Sequence, residues 1–191
     1  RERGLAAARA RRAAAGRPVL GVCGGYQVLG ERIVDEVESR AGTVAGLGLL
    51  PVRVWFAAAK TLARPAGRAL GEPVTGYEIH HGVADVRGGE PFVTGEGGEP
   101  LDGCRSGEVW GTHWHGLLEN DAFRRAFLRH VAAAAGRDFV PAPDVSFAAL
   151  REEQLERLGD LIEEHADTAA LLRLLEEGVP DGLPFLPPGA P

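Results

Sequence analysis

Methionine is missing from all 191 residues, and cysteine occurs only twice, as Cys23 and Cys104. A chain that opens on Arg1 within a helix-like stretch, with no methionine anywhere, is expected to be a piece of a longer polypeptide. Two cysteines far apart in sequence exclude a disulfide-dense secreted scaffold. They leave room for one disulfide at most, and reduced thiols in a cytoplasmic setting are the expectation. Basic charge is also in deficit: 21 Lys and Arg against 27 Asp and Glu give a net charge of −6. A nucleic-acid partner, which requires a basic stripe, is therefore not expected. The Arg-rich opening "RERGLAAARARRAAAG" is a local exception whose alanine content reads as a solvated helix. No apolar run approaches the roughly 20 residues of a membrane-spanning helix, and no charged-then-apolar leader begins the chain, so no membrane partner is expected. What is present is 45% hydrophobic content, enough for one well-buried globular domain.

The helix-like stretch 1–15 stops at Gly16, with Pro18 preventing continuation. "PVLGV" at 18–22 is short, apolar and without alternation, the pattern of a strand buried on both faces in a parallel sheet. "GYQVLGERIV" then has helical spacing through Tyr26, Leu29 and Ile33. Strands are expected at 48–56, 75–81 and 108–115, with turns across the Gly-rich stretch 87–107. From Asn120, a candidate N-cap, Phe123, Phe127 and Val131 recur every fourth residue until Gly136. Two further helices are expected, one through Phe147 to His165 and one opening at Asp167 and closing at Gly178. Strands mixed with helices, the first strand of buried parallel type, point to an α/β sheet with helices on its faces.

Gly21-x-Cys23-x-Gly25, at a strand-to-helix junction, has the form of a nucleophile elbow with cysteine in the reactive position. The flanking glycines are expected to remove side chains that would collide at the sharp turn. The helix N-terminus is expected to favour thiolate, and the Gly24 N–H to donate to a developing oxyanion. A small buried residue beside a glycine turn has the same pattern, so both readings stand at this point. A cysteine nucleophile needs a base, and His80, His81, His113, His115, His130 and His165 are the candidates. His130 and His165 lie on amphipathic helices, where packing or surface roles are ordinary. His113 and His115 share one face at the end of a strand, where α/β active sites assemble. His80 and His81 point to opposite faces of theirs. Cysteines and histidines are also metal-ligand types, but there is no C-x-x-C pair and no helical H-x-x-x-H, so no metal site is expected.

"PVLGVCGGYQVLG", "GLGLLPV", "TGYEIHHG" and "WGTHWHGLLENDAFRRAFL", in that order, resemble the glutamine amidotransferase domain of the cobyric acid synthase family. The resemblance runs from about Pro18 through Leu128 and implies a flavodoxin-like class I amidotransferase fold of α/β class, truncated at its N-terminus. It implies that 1–136 is the amidotransferase domain without its first strands, 137–178 a helical extension of the same domain, and 179–191 a Pro/Gly-rich mobile tail. Cys23 matches the family nucleophile and His115 the catalytic histidine, while His113 falls where an aromatic is common and reads as a bystander. Many class I amidotransferases have an acid two positions after that histidine; here Leu117 stands there. Gln27 matches a position near bound glutamine, and the "GYEIHHG" block puts Tyr77 and Glu78 among candidate substrate-binding residues. The implied partners are glutamine, an N-terminal ATP-dependent synthetase domain and, through it, a corrinoid acceptor. ATP and Mg²⁺ are expected only in that synthetase domain, since no G-x-x-x-x-G-K-[ST] loop exists here. A sibling amidotransferase, of the cobyrinic acid a,c-diamide synthase or lipid II type, is the alternative. A non-catalytic interaction module is the alternative of another class. Without the family's preceding strands and loop, the isolated chain is expected to be a poor glutaminase.

Overall fold

The computed structural model describes residues 4–184, and these divide into two compact units between Val145 and Ser146. The first unit opens with α1 (Leu5–Ala14), β1 (Val19–Val22) and α2 (Gly24–Leu29). There follow β2 (Arg32–Asp35), β3 (Gly42–Ala45), β4 (Val52–Ala63), β5 (Ala66–Ala69), β6 (Glu72–Thr75) and β7 (Glu78–Val86). It closes with β8 (Val93–Thr94), β9 (Pro100–Asp102), β10 (Cys104–Ser106), β11 (Val109–Thr112), a 3-10 turn (Leu117–Glu119) and α3 (Asp121–Ala134). The second unit contains α4 (Phe147–His165) and α5 (Thr168–Glu177). Among the described residues no helix is long and apolar enough to cross a membrane.

The strands make three small sheets, ordered β1-β11-β10, β3-β2-β4-β7 and β6-β5-β8-β9. β1 and β11 run parallel, with Val22 opposite Thr112, and β10 returns antiparallel. The alternation of β11 divides two cores. Trp110 enters one with Phe92, Trp114, Leu117 and Phe123, and Val109 enters the other with Tyr26, Leu29, Val52 and Val54. Each such fully buried aliphatic or aromatic side chain contributes about 1.5–3 kcal/mol, so this short sheet is anchored on both faces.

Several local expectations change. The helix after the elbow ends at Leu29, and Ile33 lies in β2. The cause is a close crossing of backbones: a Cβ on Gly30 would come within 2.6 Å of the Val52 carbonyl, and one on Gly46 would overlap the Gly30 carbonyl. The strand expected at 48–56 begins only at Val52 and extends to Ala63, paired antiparallel with β7. The strand expected at 75–81 is interrupted at Gly76 and Tyr77, and that expected at 108–115 ends at Thr112. The stretch 87–107 holds β8, β9 and β10 rather than turns alone. β1, expected to be buried on both faces, is an edge strand among the described residues, and Val22 is 37% exposed. Gly16 and Gly136 adopt positive φ after α1 and α3, and the Asp167 side chain caps α5 as expected. Asn120 stands at the N-cap position of α3, but its side chain makes no capping hydrogen bond, and Ser146, which the sequence reading did not single out, caps α4. Part of the segment expected to be a tail, 185–191, lies outside the described residues.

Candidate active site

Cys23 stands where β1 gives way to α2, with φ 50° and ψ −113°. That backbone region is favoured by glycine and sparsely used by other residues. The turn is fixed from both sides: the Cys23 N–H donates to the Thr112 carbonyl at 2.8 Å, and its own carbonyl accepts from Gln27 N–H at 3.1 Å. Gly21 is sterically required, since a Cβ there would lie 2.6 Å from Leu29 and 2.7 Å from the Gly25 backbone. Gly25 is not required in this way, because a Cβ there meets nothing within 4 Å. The elbow therefore uses one obligatory glycine, not two.

The thiol environment differs from the sequence expectation. Burial pushes the Cys23 pKa up, the Gly24 N–H that hydrogen-bonds the sulfur pulls it down, and the Glu38 and Asp102 charges push it up again. The net direction is upward, so a single-turn helix N-terminus does not by itself generate thiolate here. Activation requires a proton acceptor.

Two imidazoles follow β11, and the structure separates them. His113 is buried, and its Nδ1 lies 3.2 Å from Asp102 Oδ1. Asp102 also accepts from the Thr112 hydroxyl at 2.5 Å and the His113 backbone N–H at 2.7 Å. Burial alone would raise the Asp102 pKa; the contacts from His113 and Thr112 outweigh it and hold the pKa below its ordinary value. His113 stacks on His80 with ring centroids 4.1 Å apart and touches Tyr26 edge-on at 5.0 Å. His80 donates from Nδ1 to the Gly82 carbonyl at 2.8 Å and approaches Glu78 through Nε2 at 3.3 Å. Glu78, His80, Asp102 and His113 share the wall of a cavity of about 540 Å³, which neither Cys23 nor His115 lines. Of the two imidazoles after β11, His113, expected to be a bystander, is thus the one with a carboxylate partner.

His115 is held differently. Its backbone pairs with Tyr77 in both directions, at 2.9 and 3.1 Å, and its ring stacks on the Tyr77 ring at 4.9 Å with an interplanar angle of 11°. Its Nε2 is buried and makes no hydrogen bond among the described residues. Leu117, where the acid of other amidotransferases would stand, is buried in the core. Gln27 is buried against β7, so closely that a Cβ on Gly82 would overlap its amide nitrogen. The structure therefore places Cys23 and the 113–115 segment at the same end of two adjacent parallel strands, with Gln27 on the helix that follows Cys23. It sets Tyr77 against His115, and Glu78 on the cavity wall.

Residues 1–123 match the CobB/CobQ-like glutamine amidotransferase domain family. The chain belongs to this family. The amidotransferase domain is 75% identical over 191 residues to the cobyric acid synthase of Streptomyces avermitilis, covering all of this chain and 36% of that protein. It is 59% identical to the cobyric acid synthase of Frankia casuarinae, again over all of this chain and 36% of the relative. The chain thus spans little more than a third of the length of these relatives. A solved structure described as a glutamine amidotransferase superposes with a TM-score of 0.52 at 23% identity, covering 71% of this chain and 70% of that one. That likeness establishes the α/β glutamine amidotransferase fold. Asp102 and Asn120 are the residues sequence reasoning missed: Asp102 lies eleven positions before the histidine it meets, and Asn120 was read only as a helix cap.

Proposed function

We propose that the domain hydrolyses glutamine and supplies ammonia to an ATP-dependent synthetase. The Cys23 sulfur attacks the side-chain carboxamide carbon of glutamine while His115 accepts the thiol proton. His115 then delivers that proton to the departing nitrogen, releasing ammonia and leaving a γ-glutamyl thioester on Cys23. Water cleaves the thioester, giving glutamate and the free thiol. The Gly24 N–H, already directed at the sulfur, donates to the tetrahedral oxyanion, a contribution of about 2.7–4 kcal/mol per donor in well-built sites. Gln27 and Glu78 are the proposed contacts to glutamine; Tyr77, expected to join them, receives a different role below.

The observation that carries this reading is the backbone of Cys23. A non-glycine residue held at φ 50° at the C-terminal end of a strand, beside the parallel strand leading to His115, is what presentation of a nucleophile requires and what a passive buried cysteine does not. In the whole protein, the proposed acceptors are the side-chain carboxylates of adenosylcobyrinic acid a,c-diamide in cobalamin biosynthesis. A synthetase domain N-terminal to this one would bind ATP and Mg²⁺ and activate them, in the cytoplasm. One observation favours a second assignment of the base: His113, not His115, has a carboxylate partner. Glutamate release by Cys23→Ser, His115→Asn and His113→Asn tests both. The proposal expects loss in the first two and retention in the third; loss in His113→Asn with retention in His115→Asn assigns the base to His113.

A further inference from the structure

A histidine that shuttles a proton must keep its ring in one orientation, and a carboxylate hydrogen bond is the usual means. Among the described residues no such bond reaches His115, and the position two residues on is the buried Leu117. What surrounds His115 instead is one aromatic ring and a strap of hydrogen bonds. Tyr77 lies parallel to the imidazole at 4.9 Å, and the two backbones are joined by a reciprocal pair of N–H···O=C bonds. This approach depends on Gly76, where a Cβ would lie 2.8 Å from the His115 carbonyl and 3.1 Å from Trp114 Cβ.

The two segments are tied from one side by Asn120. Its Oδ1 accepts from the Thr75 N–H at 3.0 Å and the Thr75 hydroxyl at 3.1 Å. Its Nδ2 donates to the carbonyls of Thr75 at 2.8 Å, Leu117 at 3.0 Å and Gly116 at 3.3 Å. One side chain thus joins the residue two before Tyr77 to the two residues after His115. The junction between β6 and β7 is a rigid bracket, and the ring it presents is the Tyr77 phenol.

We infer that Tyr77 is a positioning residue for His115, its ring face taking the place of the missing carboxylate. Parallel stacking fixes the plane of the imidazole, and the negative face of the phenol ring stabilises the imidazolium while it holds the thiol proton. This inference rests on His115 as the base, and it separates Tyr77 from the substrate contacts. The ring acts on the proton-transfer step, so it affects kcat; a glutamine contact would affect KM.

The test uses the upstream-extended gene product, since the isolated chain is expected to be a poor glutaminase, with Tyr77→Leu, which removes the ring and keeps apolar bulk, and Tyr77→Phe, which restores the ring without the hydroxyl. Glutaminase kinetics are expected to show a kcat loss of about 10–100-fold in Tyr77→Leu, the scale of a misplaced catalytic group, with KM for glutamine little changed. Tyr77→Phe recovers most of the loss. Imidazole NMR supplies a readout that needs no activity: the His115 ring protons lose their ring-current shift and sample several rotamers in Tyr77→Leu, but not in Tyr77→Phe. A single unchanged His115 conformation in Tyr77→Leu, an unchanged kcat, or a rise confined to KM overturns the inference. Full glutamate release by His115→Asn would instead overturn the assignment of His115 on which it rests.

Discussion

The backbone strain at Cys23 has a measurable sign. Replacing alanine by glycine in ordinary structure lowers stability by about 0.5–1 kcal/mol, because glycine loses more conformational freedom on folding. At φ 50° and ψ −113° the balance reverses, since a Cβ in such a region raises the folded-state energy by about 1–3 kcal/mol. Subtracting the glycine entropy leaves Cys23→Gly more stable than Cys23→Ala by up to about 2.5 kcal/mol, about 1 kcal/mol at the centre of the range, although both remove the thiol and the activity that depends on it. Urea unfolding followed by tryptophan fluorescence is the assay. Trp55, Trp110 and Trp114 are the three tryptophans of the chain, and all lie in the 1–145 unit, so the signal reports on the unit that holds the elbow. With m of about 1–3 kcal/mol/M, a 1 kcal/mol gain moves the urea midpoint upward by about 0.3–1 M, at unchanged m. A Cys23→Ala variant more stable than Cys23→Gly by about 0.5–1 kcal/mol, the ordinary difference, would show that no strain is stored at the elbow and would remove the main ground for reading it as a nucleophile mount.

Three other perturbations probe the surroundings. Gly111→Ala drives a methyl into the Tyr26 ring, which already fills the space beneath β11, and is expected to lower stability by about 1–3 kcal/mol or more; a neutral change would mean that Tyr26 is free to move. Because burial raises the Cys23 pKa, iodoacetamide labelling of Cys23 in the absence of glutamine should rise with pH with its inflection above the ordinary cysteine value of about 8.5; an inflection below 8 contradicts that environment. The folded pKa of Asp102 is depressed, so its contribution to stability is complete above the unfolded value of about 3.9 and is lost as pH falls below it. Asp102→Asn should abolish that part of the acid loss and lower stability at neutral pH by about 1–3 kcal/mol, since partners of the carboxylate are left unsatisfied; an unchanged acid profile would show that Asp102 is not coupled to folding.

The features legible in the sequence are those whose causes are local. Gly21 announces the elbow because the collision it avoids is with Gly25 and Leu29, a few residues away. Gly16 and Gly136 mark helix ends through their own φ, and Asp167 marks a start through the amide three residues on. Ile33 misleads because its helical spacing is real, while the chain is turned into a strand by the approach of Val52 to Gly30, over twenty residues apart. The strands β5, β6, β8, β9 and β10 have two to four residues each, too short to show a period, and what defines them is their pairing, largely in short hairpins with neighbouring strands. His113 and His115 look alike in "GTHWHG". What distinguishes them is that β11 ends at Thr112, which frees one ring to meet Asp102 and the other to meet Tyr77. No spacing rule connects either pair.

Covalent capture of the Cys23 sulfur would show whether it is the nucleophile that attacks glutamine. The chain would be incubated with an electrophilic glutamine analogue and the modified peptide located by mass spectrometry, with Cys104, buried and hydrogen-bonded to the Gly88 carbonyl, as the internal control. The account predicts one adduct per chain on Cys23, slowed by competing glutamine, absent in Cys23→Ser and strongly slowed in His115→Asn. Equal labelling of Cys23 with and without glutamine, or no adduct on Cys23 while Cys104 reacts, would contradict it.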